Sequence, residues 1–141
     1  MTEETQILNF QNVLAHGVDV VDTAEFARLI NRQASEFLDR YFTATELFSA
    51  GVGGDRVEKL ASRFAVKEAV LKALGTGWGD GIAFTDVEVV SQWSGAPSIV
   101  LHRRLAAIAS ERGVVHWLVS ASHTSGISIA SVIALTSSIQ N

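Results

Sequence analysis

Apolar residues recur every second position in some stretches of this chain and every third or fourth in others, and the changes of period mark out its elements. Residues 13–21 read as a short strand, Val13 to Val21, broken at His16-Gly17. Asp22-Thr23-Ala24-Glu25 then has the form of a helix start, with Asp22 as N-cap and Glu25 three residues on, as in a capping box. Phe26, Leu29 and Ile30 give this helix an apolar stripe, while Arg28 and Arg32 share its other face. Residues 34–50 predict one or two short helices, and Gly51-Val52-Gly53-Gly54 a flexible break. From about Asp55 to Leu74 the pattern is that of one long helix, with Gly75 as its C-cap.

Beyond it, Gly75 to Gly81 is a glycine-dense loop. Strand-like alternation follows in residues 83–90, and again in 98–101 after Gly95-Ala96-Pro97. Residues 102–112 read as a helix with Leu105, Ile108 and Ala109 inward and Arg103, Arg104 and Arg112 outward. Two strands, 115–122 and 127–135, are joined at His123-Thr124-Ser125-Gly126, and Ile127, Ile129, Ile133 and Leu135 share one face. The pattern predicts an α+β fold: a small, largely antiparallel sheet packed on one long helix and shorter helices. Residues 13–141 are expected to form its single domain.

Composition narrows the class. A chain of 141 residues holds one domain with a real core. With 48% apolar and 18% charged residues it is compact rather than disordered. No apolar run approaches the ~20 residues that span a bilayer. Met1-Thr2-Glu3-Glu4-Thr5-Gln6 is acidic and polar, unlike a secretory or transit signal. Without cysteine there is no disulfide or thiolate site, so a cytoplasmic address is expected. A net charge of −4 argues against broad nucleic-acid binding but leaves room for a local basic patch that holds an anionic partner.

The candidate chemistry gathers on the long helix. It is apolar on nearly every face, yet carries Glu68 and Lys72 one turn apart. Charges there are costly unless paired, either with each other or with a bound ion and a phosphate. As a pair they have the favoured salt-bridge order, worth ~0.3–0.5 kcal/mol when exposed. Ala61, Ala65 and Ala69 flank them and leave room for a ligand or another backbone, while Arg63 and Lys67 lie on a different flank. Asp19 is an acid inside an apolar strand, either a strand-end residue or a metal ligand. Mg²⁺ takes oxygen ligands, usually one or two carboxylates with substrate phosphates and waters. Gly75-Thr76-Gly77 is no dinucleotide fingerprint, but its backbone N–H groups suit phosphate. His123 has no partner at zinc spacing, and Ser120, Ser122 and Ser125 lack the nucleophile elbow of a serine hydrolase.

Three pieces stand in one order: Gly17-Val18-Asp19, the block Arg63-Phe64-Ala65-Val66-Lys67-Glu68-Ala69 continuing through Lys72 to Gly75-Thr76-Gly77, and Val119-Ser120-Ala121-Ser122-His123-Thr124. This closely resembles holo-[acyl-carrier-protein] synthase, the small trimeric class of 4′-phosphopantetheinyl transferases, over about residues 13–135. The resemblance implies transfer of the phosphopantetheine arm of coenzyme A to a serine of apo acyl carrier protein, with Mg²⁺ and release of adenosine 3′,5′-bisphosphate. It implies that residues 1–12 are an N-terminal extension, and it places the metal on Asp19 and Glu68. It places Lys72 and Arg63 by the coenzyme A phosphates, Gly75, Thr76 and Gly77 along the nucleotide, and His123 and Thr124 across a subunit boundary of a homotrimer. Glu68 is the candidate base, directly or through a water. Arg28 and Arg32, with Arg40 beside them, suit docking of an acidic carrier. Two departures stand out: Glu25 where relatives often carry a basic residue, and Leu118 where they commonly have histidine, His116 being the nearest. They motivate an alternative, a non-catalytic trimer that binds coenzyme A as an interaction module.

Overall fold

In the computed structural model, residues 12–137 are described, without the side chains of 33–35. The expected extension, residues 1–12, lies outside them save for Asn12. The order is β1 (Val13–Asp22), α1 (Thr23–Tyr41), α2 (Ala44–Ala50), α3 (Arg56–Leu74), a 3₁₀ turn (Phe84–Asp86), β2 (Val87–Ser91), β3 (Pro97–Leu101), α4 (Arg103–Glu111), β4 (His116–Thr124) and β5 (Ile127–Leu135). The class is α+β as expected, with the strands divided between two antiparallel sheets, β1-β5-β4 and β2-β3.

Three local expectations are corrected. β1 is not broken at His16-Gly17: Gly17 pairs with Val132 inside a continuous ladder. Residues 34–41 do not form a separate helix but complete α1, which runs 19 residues to Tyr41. It stops because Phe42 turns extended and Thr43 opens a capping box with Glu46, so α2 is the one short helix of the region. His123 and Thr124 are not turn residues: they end β4, paired with Ser128 and Ile127, and only Ser125 and Gly126 lie between the strands.

The fold is organised by how closely the three-stranded sheet approaches α3. The side chains of β5 that face the helix are Ser128, Ala130, Val132 and Ala134, all buried. On α3 they meet a helix that buries Ala61, Ala65 and Ala69. Small residues on both sides let the backbones come close, and beside Ala69 the room is taken by β1. Gly17 marks the closest point: a Cβ there would lie 1.9 Å from the carbonyl oxygen of Ala69. Ile127, Ile129, Ile133 and Leu135 do share a face, as their period requires, but it is the face turned away from α3. Gly17→Ala is therefore expected to destabilise by ~1–3 kcal/mol or more, because backbone rather than a flexible side chain must yield. Thermal unfolding of the variant checks this; a melting temperature equal to wild type would contradict it.

Away from the sheet, Phe26 of α1 packs against Phe37, Phe42 and Phe64, and α4 buries Leu105 and Ala109. Full burial of a phenylalanine or leucine side chain contributes roughly 1.5–3 kcal/mol. Two carboxylates pin β2 and the turn before it. Asp86 accepts from Arg103 Nε at 2.7 Å, from Arg103 Nη2 at 2.9 Å and from the N–H of Ala83 at 2.9 Å. Glu88 accepts from the Thr43 hydroxyl at 2.8 Å and bonds His102 at 3.1 Å. Burial pushes Asp86 upward, but Arg103 and the Ala83 N–H outweigh it and hold it below its ordinary range. Glu88 is held low chiefly by the Thr43 hydroxyl, then by His102. Groups with lowered folded pKa stabilise above the unfolded carboxylate value of about 4 and lose that contribution as pH falls through their folded values. The denaturation midpoint is thus expected to drop below about pH 4, and to drop less steeply in Asp86→Asn. Parallel acid limbs for the two proteins would contradict it.

Candidate active site

The approach of β1 to α3 builds the site. Gly17, Asp19 and Val21 share the inner face of β1, so the strand that touches α3 at Gly17 brings Asp19 to the same helix two residues later. Lys72 Nζ donates to Asp19 Oδ1 at 2.8 Å. Glu68, one turn before Lys72, makes a different bond: its Oε1 accepts from the indole Nε1 of Trp78 at 3.0 Å. The cation thus bridges from helix to strand instead of closing the helical pair. Asp19 and Glu68 line one cavity of about 300 Å³ with Asp22, Glu25, Phe26 and Phe64. Burial pushes the Glu68 carboxyl above its ordinary range, the Trp78 hydrogen bond offsets part of that, and the Asp19 charge adds to it. Lys72 is shifted upward, first by its hydrogen bond to Asp19.

A second cavity of about 340 Å³ lies on another flank of α3, with Glu58, Lys59, Arg63, Pro97 and His123 in its wall. Arg63 Nη2 donates to Ser49 Oγ at 2.9 Å. His123 Nδ1 stands 3.9 Å from Glu58 Oε2, an ion-pair distance rather than a hydrogen bond. Within one protomer, then, the expected site residues fall into two groups: Asp19, Glu68 and Lys72 in one, Arg63 and His123 in the other. Thr124, next in the strand to His123, is on the opposite face of the sheet. Gly75 caps α3 in the left-handed conformation at φ 67°, Gly77 is exposed, and the buried hydroxyl of Thr76 has no hydrogen-bond partner. Arg28, Arg32 and Arg40 are exposed on α1.

Sequence reasoning missed two features. Trp78 returns from the loop to Glu68, and no periodicity signals such a return. Lys67, one of the charges on α3, is wholly buried and bonded to Glu46 at 2.8 Å. It belongs to the core, and its position one residue from Glu68 was the available hint.

The donor set was tested against a divalent cation. Among the described residues no three or more acids and histidines cluster as a self-sufficient metal centre. Two oxygen donors on one cavity do fit a hard ion that takes its other ligands from substrate phosphate and water. The ammonium of Lys72 against Asp19 shows that a positive charge is accommodated there.

Comparison with known proteins agrees in fold and sequence. A family model for the 4′-phosphopantetheinyl transferase superfamily matches residues 15–130. A holo-[acyl-carrier-protein] synthase of Koribacter versatilis is 37% identical over 121 residues, covering 86% of this chain and 97% of that protein. One from Frankia casuarinae is 41% identical over 124 residues, covering 88% and 98%. The crystal structure of the Neisseria meningitidis holo-[acyl-carrier-protein] synthase superposes with a TM-score of 0.79 at 30% identity, over 86% of this chain and 98% of that one. The Helicobacter pylori holo-[acyl-carrier-protein] synthase in complex with coenzyme A gives 0.74 at 28% identity, over 84% and 98%. The chain therefore belongs to the 4′-phosphopantetheinyl transferase superfamily, in its holo-[acyl-carrier-protein] synthase family, and is a phosphopantetheinyl transferase.

Proposed function

We propose that the protein transfers the 4′-phosphopantetheine arm of coenzyme A to a serine of an apo acyl carrier protein, in a Mg²⁺-dependent reaction that releases adenosine 3′,5′-bisphosphate in the cytoplasm. The observation that carries this reading is the meeting of Asp19 of β1 and Glu68 of α3 on one cavity, with Lys72 bonded to Asp19. In the transfer, the serine oxygen forms a bond to the phosphorus that carries the arm, the bond from that phosphorus to the bridging oxygen of the pyrophosphate breaks, and the bisphosphate leaves. Asp19 and Glu68 would hold the cation. Mg²⁺, when bound, neutralises the pyrophosphate and the departing charge. Lys72 has a side chain 55% exposed, so it is free to swing from Asp19 to a phosphate oxygen. Glu68, directly or through a water, accepts the serine proton.

The separation of Asp19 from His123 within one protomer, together with the outer face of the sheet, supports a homotrimer with sites between subunits. That face is large and apolar: Val20 is 57% exposed, Leu118 49%, Ile127 47% and Ile129 40%. Such patches mark interaction surfaces. Ile129→Lys is expected to give the mass of a single chain by light scattering and to lower arm transfer by two orders of magnitude or about that. An intact, fully active oligomer would contradict this arrangement. In the proposed complex, Arg63, His123 and Lys59 meet coenzyme A phosphates, the loop 75–77 lines the nucleotide, and Arg28 and Arg32 receive the acidic carrier.

Incubation with coenzyme A, Mg²⁺ and a panel of apo carriers tests the function. A carrier is expected to gain the mass of the arm, and a chelator is expected to stop it. Coenzyme A binding without turnover on any carrier would instead favour the interaction module.

A further inference from the structure

Trp78 stands between Gly77 and Gly79 in the loop that leaves α3, and Gly79 adopts φ 107°, a conformation that glycine tolerates. That turn carries the indole back to the helix, where Nε1 meets Glu68 Oε1 at 3.0 Å. Behind it the ring stacks on Phe84, with centroids 3.5 Å apart and planes 29° from parallel. Phe84 in turn stacks on Phe64 of α3 at 5.5 Å and leans on Tyr41 of α1 at 4.2 Å. The donor is therefore mounted on a plane fixed from behind by two helices.

Glu68 needs such an anchor. A glutamate side chain has rotamer freedom worth up to ~1.5–2 kcal/mol, and Glu68 is only half-buried. Its lysine neighbour is engaged with Asp19. An indole N–H can donate but cannot accept a proton or bind a metal. It also brings no positive charge, so it orients the carboxylate without replacing the cation as a counter-charge. We infer that Trp78 is a positioning residue for Glu68: its N–H holds one carboxylate oxygen and leaves the second for the cation and the serine proton. The inference rests on the proposed transfer reaction.

Trp78→Phe keeps an aromatic plane over Phe84 and removes the N–H. It is expected to lower kcat for arm transfer about 10- to 100-fold, the range for loss of a partner that orients a metal-ligating side chain. KM for coenzyme A should stay within about twofold, since the residue acts through Glu68 and not on the nucleotide. A merely structural role would instead lower the melting temperature and leave kcat of the folded fraction unchanged, and that result overturns the inference. The second readout needs no activity. The chain has three tryptophans, and the indole ¹H–¹⁵N signal lost in Trp78→Phe identifies this one. In the wild-type protein it should exchange slowly with solvent and shift on addition of Mg²⁺. In Glu68→Ala it should move and exchange as fast as the signal of the fully exposed Trp93. A Trp78 signal insensitive to both Mg²⁺ and Glu68→Ala overturns the inference. Should the wild-type protein transfer no arm, the proposed reaction fails, and the indole signal still decides whether the anchor exists.

Discussion

Glu46→Ala is expected to destabilise the fold by about 3–5 kcal/mol, the cost of removing one partner from a buried ion pair. Glu46 and Lys67 are both wholly buried, and the carboxylate ties three elements together. Its Oε1 accepts from Lys67 Nζ and the N–H of Thr43, each at 2.8 Å, and its Oε2 from the N–H of Val89 at 2.9 Å. Lys67 also donates to the carbonyls of Phe84, at 3.0 Å, and Val87. Without the carboxylate, an ammonium is left in the interior with carbonyl partners alone, and the N–H groups of Thr43 and Val89 lose their acceptor. Burial already holds the Lys67 amine below its ordinary range, and Glu46 is the chief influence opposing that. Urea denaturation of wild type, Glu46→Ala and Glu46→Gln measures the effect, with Gln losing less because its one amide oxygen still accepts while its NH₂ replaces the other acceptor. A loss in Glu46→Ala below about 1 kcal/mol would show that the pair is not the junction described.

The largest effect on activity is expected from Asp19→Ala and Glu68→Ala. Each removes one of the two oxygen donors, and each should lower arm transfer at least about a thousandfold, since cation stabilisation of a transferring phosphoryl group is worth several kcal/mol. The fold should survive. Asp19 bonds to Lys72, which is largely solvated, and Glu68 to Trp78, so each substitution removes one hydrogen bond worth about 0.5–1.5 kcal/mol. Mass spectrometry of the carrier reads the transfer, and thermal unfolding reads the fold. Full activity in both variants refutes the proposed site, and collapse of either fold contradicts the structural account.

The parts of this molecule legible in its sequence are those set by local chemistry. Gly75 ends α3 and Asp22 caps α1, because cap and turn residues act within a few positions of themselves. The block around Glu68 was legible because its charges sit on a helix that otherwise buries itself. What was hidden depends on approach between elements. Gly17 reads as a break in a strand, yet it is the point of contact that lets β1 lie on α3. The isoleucines of β5 read as one face, but which side of the sheet meets the helix is set by the close approach, which leaves space only for Ser128, Ala130, Val132 and Ala134. The pairing of Lys67 with Glu46, 21 residues apart in sequence, was hidden because a contact across that distance leaves no period. The same holds for Lys72, whose partner is 53 residues away on β1 and not the glutamate one turn back.

One cation shared by Asp19 and Glu68 is the claim on which the rest depends, and Mn²⁺ titration followed by electron paramagnetic resonance, with coenzyme A present, tests it most directly. The account predicts one tightly held ion per chain, with affinity at least about tenfold weaker in Asp19→Asn and in Glu68→Gln. Undiminished Mn²⁺ binding in both variants would contradict it.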